Sequence, residues 1–233
     1  MKKTGFFITG TDTGVGKTWA TLCVLREFQA RGMSVAGMKP VATGGVFREG
    51  RLVNEDALAL RGASSMPLPY EEVNPYLYAP PVSPHIAAAR AGVPIELGRI
   101  VKVFKGLSEK ADCVLVEGVG GWKAPLSGCE RVEDLALALG LPVILVVGLR
   151  LGCLNHALLT RAAMASSGVG LAGWIANRVA GGFPCVQEHI ETLTNEWSVP
   201  PLAILPYGEI DPPLFRDAFP DLRQDEILRA RGS

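Results

Sequence analysis

The sequence carries no excess of charge of either sign, with 23 lysines and arginines against 23 aspartates and glutamates. A balanced chain offers no overall electrostatic footprint for a nucleic-acid backbone or an anionic membrane surface, so neither is an expected partner. Histidine is scarce: His85, His156 and His189 are scattered, and none stands at ligand spacing to another. They read as helix-surface or capping residues. The five cysteines (Cys23, Cys113, Cys129, Cys153 and Cys185) are an odd number without a Cys-x-x-Cys pair. That pattern excludes a disulfide framework and a zinc site and suits a reducing cytosol. Long hydrophobic runs are missing as well. The longest, Leu141 to Val147, has a strand's length, whereas a bilayer-spanning helix needs about 20 residues. The apolar run behind Met1-Lys2-Lys3 is only Phe6 to Ile8, too short for a signal peptide. A cytoplasmic protein is expected.

What is present is ordinary globular material, 48% hydrophobic and 20% charged over 233 residues, enough for one α/β domain spanning 1–233. Gly5 to Thr9, Ser34 to Lys39, Asp112 to Glu117, Pro142 to Val147, Leu171 to Asn177 and Leu202 to Leu205 are short apolar segments. Most lack in-out alternation, which is how strands covered on both faces read. Helical segments fall between them: Thr18 to Ala30, Glu96 to Ser108, Val132 to Leu139, Asn155 to Ser167 and Pro184 to Trp197, with another opened by Ser83-Pro84. This alternation predicts a doubly wound, mostly parallel sheet with helices on both faces. Ala42 to Asn54 and Met66 to Pro84 read as loops, and in such folds loops at the strands' carboxyl ends carry the ligand site.

Gly10-Thr11-Asp12-Thr13-Gly14-Val15-Gly16-Lys17-Thr18 follows a strand and opens a helix, the context a P-loop requires. Glycines let backbone N–H groups turn inward around phosphate oxygens, and the helix start adds its positive dipole end. Lys17 would reach the β and γ phosphates of a nucleoside triphosphate, and the Thr18 hydroxyl would ligate Mg²⁺. One feature departs from the usual spacing. Gly10 lies one residue further back than the first glycine normally does, and Thr11 fills that position.

Glu117 ends a buried strand and precedes Gly118-Val119-Gly120-Gly121-Trp122, the place where P-loop proteins hold a second carboxylate for Mg²⁺. Asp56 sits at the helix start Asn54-Glu55-Asp56, where residue type alone favours an acidic group complementing the helix dipole over a metal ligand. Lys39 ends an apolar strand before Pro40. It is either a solubilising strand end or a cation that neutralises charge developing during phosphoryl or carboxyl chemistry.

The phosphate loop, Met38-Lys39-Pro40-Val41-Ala42-Thr43-Gly44 and Val116-Glu117-Gly118-Val119-Gly120-Gly121-Trp122 together resemble the dethiobiotin synthetases. Asn54-Glu55-Asp56-Ala57-Leu58, Asn74-Pro75-Tyr76, Ser83-Pro84-His85, Leu151-Gly152-Cys153-Leu154-Asn155-His156 and Gly173-Trp174-Ile175-Ala176-Asn177 agree in the same order. The resemblance covers the chain from about Thr9 to Pro206. It implies a P-loop ligase that joins CO₂ to 7,8-diaminononanoate with ATP and Mg²⁺, closing a cyclic urea through a phosphorylated carbamate. It places the phosphates on Thr13, Gly14, Val15, Gly16, Lys17 and Thr18, with Gly118 and Gly120 beside the nucleotide. Thr18, Asp56 and Glu117 would surround the metal. Lys39, with Lys17, would be catalytic, and Thr43 would contact substrate. Asn177 would read the adenine, lined by Pro206, Tyr207 and Gly208. Gly152, Cys153, Leu154 and Asn155 match a turn that receives the substrate's carboxylate from the other subunit, so a homodimer is implied.

Some members of the family carry glutamate where this chain has Gly14. The stretch after Glu209 matches little. A partition-type switch ATPase would place a second lysine early in the phosphate loop, and Gly10-Thr11-Asp12 has none. A cobyrinate amidating enzyme would need a glutaminase domain for which the chain has no room. A guanine reader would need an aspartate that Asn177-Arg178-Val179-Ala180 lacks.

Overall fold

The computed structural model describes residues 4–208, so the stretch after Glu209 lies outside the described residues. Six parallel strands form the central sheet: β1 (Thr4–Gly10), β2 (Val35–Met38), β7 (Cys113–Glu117), β8 (Val143–Leu149), β9 (Leu171–Arg178) and β10 (Ala203–Leu205). Their order is β10-β9-β8-β1-β7-β2. From β1 the chain runs first to one edge and later to the other, so the strand order reverses beside β1. A crevice at the carboxyl ends of the strands follows from that reversal. The register places Ile8 opposite Glu117 and Gly10 opposite Val146. The end of β1 is thereby flanked by the acidic tip of β7.

Successive strand residues go to opposite faces. Phe7, Val114, Val116, Leu145 and Trp174 join one buried cluster, while Phe6, Ile8, Leu115, Val146 and Ile175 join the other. Helices α5 (Leu97–Lys110), α6 (Val132–Leu139), α7 (Cys153–Ser166) and α8 (Val186–Trp197) cover the first face. Helices α1 (Lys17–Ala30) and α2 (Glu55–Gly62) cover the second. Two apolar faces explain the unbroken hydrophobic runs, since each buried Leu, Ile or Phe contributes about 1.5–3 kcal/mol. Trp174 meets Trp197 edge-on at 5.1 Å and donates its indole N–H to Val199 at 2.9 Å. A core position therefore keeps its polar atom paired.

The two segments read as loops contain structure of their own. β3 (Val41–Thr43) pairs in parallel with β6 (Tyr76–Tyr78), and β4 (Val46–Arg48) forms a hairpin with β5 (Arg51–Val53). A short helix α3 (Tyr70–Val73) precedes β6, and α4 (Pro84–Ala91) follows it with Pro84 at its first turn. Three-residue strands are too short to show a period of two. Prolines at 40, 75 and 80 also punctuate their ends as they would a loop.

Candidate active site

β1 ends at Gly10, and the chain curls through Gly14 and Gly16, whose φ values are +72° and +80°. Both lie in the left-handed region that L side chains resist. Gly16 caps α1 without a side-chain hydrogen bond, so no cap side chain takes up the first-turn N–H groups, which a helix start leaves without intrahelical partners. A Cβ at Gly10 would lie 2.6 Å from the Val15 side chain. That contact accounts for the unusual spacing: Gly10 is glycine so that buried Val15 can fold back onto β1.

Lys17 is buried and donates to the carbonyl of Asp12 at 2.8 Å. Burial first, and the nearby Lys39 ammonium second, depress its pKa to about 8, with partial relief from Glu117, Asp56 and Asp12. Arg150 pairs with Asp12 at 2.7 Å and ties the loop to the segment after β8.

The three acidic and basic groups singled out in the sequence meet beside this loop. Glu117, 1% exposed, accepts through Oε1 from Thr18 at 2.9 Å and from the Lys39 ammonium. Lys39 also pairs with Asp56 at 3.1 Å. Burial alone would lower the Lys39 pKa, but the Glu117 and Asp56 carboxylates outweigh it and raise the pKa above its ordinary value. Burial likewise pushes Asp56 up, and the Lys39 cation overrides it, holding the carboxyl low. The result is a buried, charged lysine held between two carboxylates.

Local structure fixes each member. The Lys39 N–H donates to Val73 at 2.8 Å, and its carbonyl accepts from Asn74 Nδ2 at 2.7 Å. The strand end is thus pinned by the α3–β6 junction. Asp56 stands in the first turn of α2, whose cap Asn54 accepts from the Ala57 N–H at 3.1 Å.

These groups open on one cleft of about 1160 Å³. Thr13, Gly14, Gly16, Lys17, Thr18, Lys39, Thr43, Asp56, Glu117 and Gly120 line it. Val15 is buried beneath, and Gly118 lies against the Phe7 ring, where a Cβ would sit 3.1 Å away. Asn177, at the end of β9, donates to the Val15 carbonyl at 2.8 Å. Register sets it opposite Leu205, and Pro206, Tyr207 and Gly208 follow directly. Gly152, Cys153, Leu154 and Asn155 form the start of α7 and do not line this cleft, although Leu159, Thr160 and Ala163 further along α7 do. Those three were missed in the sequence reading, as were Trp19, Lys123 and Asn74. Only Asn74 carried a signal, in Asn74-Pro75-Tyr76.

Among the described residues no group of three or more His, Cys, Asp or Glu is placed to hold a metal ion. Thr18, Asp56 and Glu117 nonetheless suit Mg²⁺. They are hard oxygen donors, two of them carboxylates, and Mg²⁺ commonly takes one or two carboxylates with the remainder from phosphate and water. Glu117 Oε2 is buried without a partner, an acceptor in need of a cation or donor. No helix among the described residues is long and apolar enough to cross a membrane.

The AAA domain family matches residues 4–210. The ATP-dependent dethiobiotin synthetase BioD of Aromatoleum aromaticum is 48% identical over 202 residues, covering 87% of this chain and 90% of that protein. The enzyme of the same name from Xanthomonas axonopodis pv. citri is 46% identical, covering 89% and 92%. That from Pseudomonas aeruginosa is 45% identical over 219 residues, covering 94% and 96%. Among solved structures, the MinC:MinD cell division complex of Aquifex aeolicus matches with a TM-score of 0.53 at 16% identity, covering 88% of this chain and 82% of that one. Chloroplast FtsY of Physcomitrella patens matches at 0.50 and 20% identity over 95% of this chain, which spans 66% of the FtsY chain, just under two thirds. At such identity the two structures show the shared P-loop fold alone.

Proposed function

The chain belongs to the ATP-dependent dethiobiotin synthetases, ligases that form a carbon–nitrogen bond, and we propose that its cleft carries out the whole sequence from diamine to cyclic urea. The observation that carries the reading is the buried Lys39 ammonium held between Glu117 and Asp56 beside the phosphate loop. A cation so fixed needs no reorganisation when negative charge develops next to it.

One amine of 7,8-diaminononanoate adds to CO₂, losing a proton and leaving a carbamate. A carbamate oxygen then attacks the γ-phosphorus, and the bond to the β-bridging oxygen breaks to release ADP. The second amine attacks the carbonyl carbon of this mixed anhydride, phosphate departs, and loss of the amine's proton leaves the urea ring. Lys17 and the N–H groups of Thr13 to Thr18 bind and orient the β and γ phosphates. Lys39 faces the carbamate and stabilises the charge moving toward phosphorus, while Thr43 positions the diamine. Thr18, Asp56 and Glu117 would hold Mg²⁺, whose charge when bound offsets that of the triphosphate. Asn177 takes the adenine edge, with Pro206, Tyr207 and Gly208 along the base and Gly118 and Gly120 bounding the phosphates. Positioning and charge neutralisation carry the catalysis, and no covalent enzyme intermediate is required.

Residues 1–233 act as one P-loop NTPase-like domain in the cytoplasm and pair as a homodimer. The support for pairing is the α7 start. Gly152 is exposed with φ +89°, its neighbour Leu151 is 89% exposed, and the turn does not line its own chain's cleft. Backbone donors at a helix start suit a carboxylate, here that of a diamine bound by the partner.

The test supplies ATP, Mg²⁺ and bicarbonate with and without the diamine. Phosphate release that requires the diamine and matches urea one for one supports the reading. Steady hydrolysis indifferent to the diamine contradicts it.

A further inference from the structure

The contact between Asn177 and the phosphate loop does more than present an amide to a base. Asn177 is 3% exposed, and its Nδ2 donates to the main-chain carbonyl of Val15 at 2.8 Å. A carbonyl can only accept, so the amide must turn its NH₂ toward the loop, leaving Oδ1 buried without a partner. A Cβ at Gly16 would lie 2.1 Å from that same Nδ2. The asparagine fills the space that any other residue at position 16 would claim, at a point where φ is +80°. Val15 is lodged on its other sides as well. Its side chain is 1% exposed, and a Cβ would meet it at 2.6 Å from Gly10 and at 3.0 Å from Gly148. β1, β8 and β9 therefore grip the Val15–Gly16 peptide together.

We propose that Asn177 is a positioning residue for the phosphate loop, holding the Val15–Gly16 peptide so that the loop's N–H groups converge on a triphosphate whatever base is attached. The inference rests on reading Thr13 to Thr18 as the triphosphate cradle. A loop held in its binding geometry loses less conformational freedom when the ligand arrives. Without the amide the Val15 carbonyl loses a buried donor, and the loop gains an incentive to rearrange. Residue 177 thereby links the base end of the site to its phosphate end.

The test uses a ligand with no base. Calorimetric titration of Mg²⁺-tripolyphosphate into the wild-type chain and Asn177→Ala, with ATP in parallel, separates the two ends. The variant's tripolyphosphate affinity falls roughly five- to tenfold, the scale of one lost hydrogen bond in a buried site. Hydrogen exchange quickens in peptides covering 11–18 while β1 and β8 stay protected. A loss confined to ATP, with tripolyphosphate binding unchanged, overturns the inference and leaves Asn177 a base contact only. Wild-type protein that binds neither ligand overturns it together with the cradle reading beneath it. Should Asn177→Ala fail to fold, nuclear magnetic resonance on the wild-type chain decides. Asn177 side-chain amide protons shielded from solvent, with and without tripolyphosphate, support the brace, and fast exchange in both states contradicts it.

Discussion

Lys39 and Glu117 form an ion pair in which both side chains are almost wholly buried, at 5% and 1% exposure. They lie 78 residues apart in sequence and are joined because β2 and β7 are hydrogen-bonded neighbours ending at the same edge. Desolvating two charges is costly, and their attraction offsets this only with good geometry and further partners. Thr18 and Asp56 supply those partners here.

Glu117→Gln keeps the volume and removes the charge. We expect turnover to fall at least a hundredfold, on the scale of losing one preorganised electrostatic group, while the fold survives because Asp56 still pairs with Lys39. Steady-state assays and thermal unfolding check both halves. Activity within tenfold of wild type would remove Glu117 from the chemistry.

Lys17 gives a pH signature. Its pKa near 8 lies below the ordinary 10.5, so the folded chain sheds this proton before the unfolded chain does. Between those values the unfolded state binds more protons, and Lys17's contribution to stability rises with pH. A bound triphosphate raises the Lys17 pKa, so ATP binding takes up a proton: about half of one at pH 8 and almost none at pH 6.5. Calorimetry in buffers of different ionisation enthalpy reads this directly. Lys39→Met reduces the uptake at pH 8, because the Lys39 cation helps depress Lys17.

Gly14 and Gly16 separate strain from space. A Cβ at Gly14 meets nothing within 4 Å, so Gly14→Ala carries only the left-handed penalty of ~1–2 kcal/mol. Gly16→Ala drives an atom into Asn177 and is expected to abolish nucleotide binding while Gly14→Ala retains it. Equal losses in fluorescent-nucleotide titrations would contradict this distinction.

The sheet and the phosphate loop were legible because their signals are local: apolar runs bounded by turns, and glycines at fixed offsets before a lysine. α6 was read with the bounds it has, and β1, α1 and β9 within one residue at either end. The convergence of Lys39, Asp56 and Glu117 was legible only through the resemblance, since residue type alone left Lys39 open and favoured a dipole role for Asp56. Asn74 carried only the signal of Asn74-Pro75-Tyr76, and Lys123 carried none. One acts through its amide on the Lys39 carbonyl, and the other is held by Glu133 at 2.6 Å, pairings that no spacing encodes. The β3–β6 pair needed knowledge that Pro40 starts a second small sheet rather than a loop.

Dimerisation predicts a native mass of two 24.8 kDa chains in sedimentation. It also predicts complementation between two inactive variants, Lys39→Ala and Asn155→Asp, altered on opposite contributors to each site. Mixed and reassembled in equal amounts, they regain about a quarter of wild-type activity, because half the dimers hold one intact site. No recovery, or a monomeric mass, would place the substrate's carboxylate elsewhere.

The most direct test measures ATP affinity and turnover together for Lys39→Ala. A cation that acts on the carbamate and the transferring phosphoryl group, rather than on bound ATP, predicts turnover at least a hundredfold lower with ATP affinity within about threefold of wild type. Equal losses in both would make Lys39 a nucleotide-binding lysine and contradict the account.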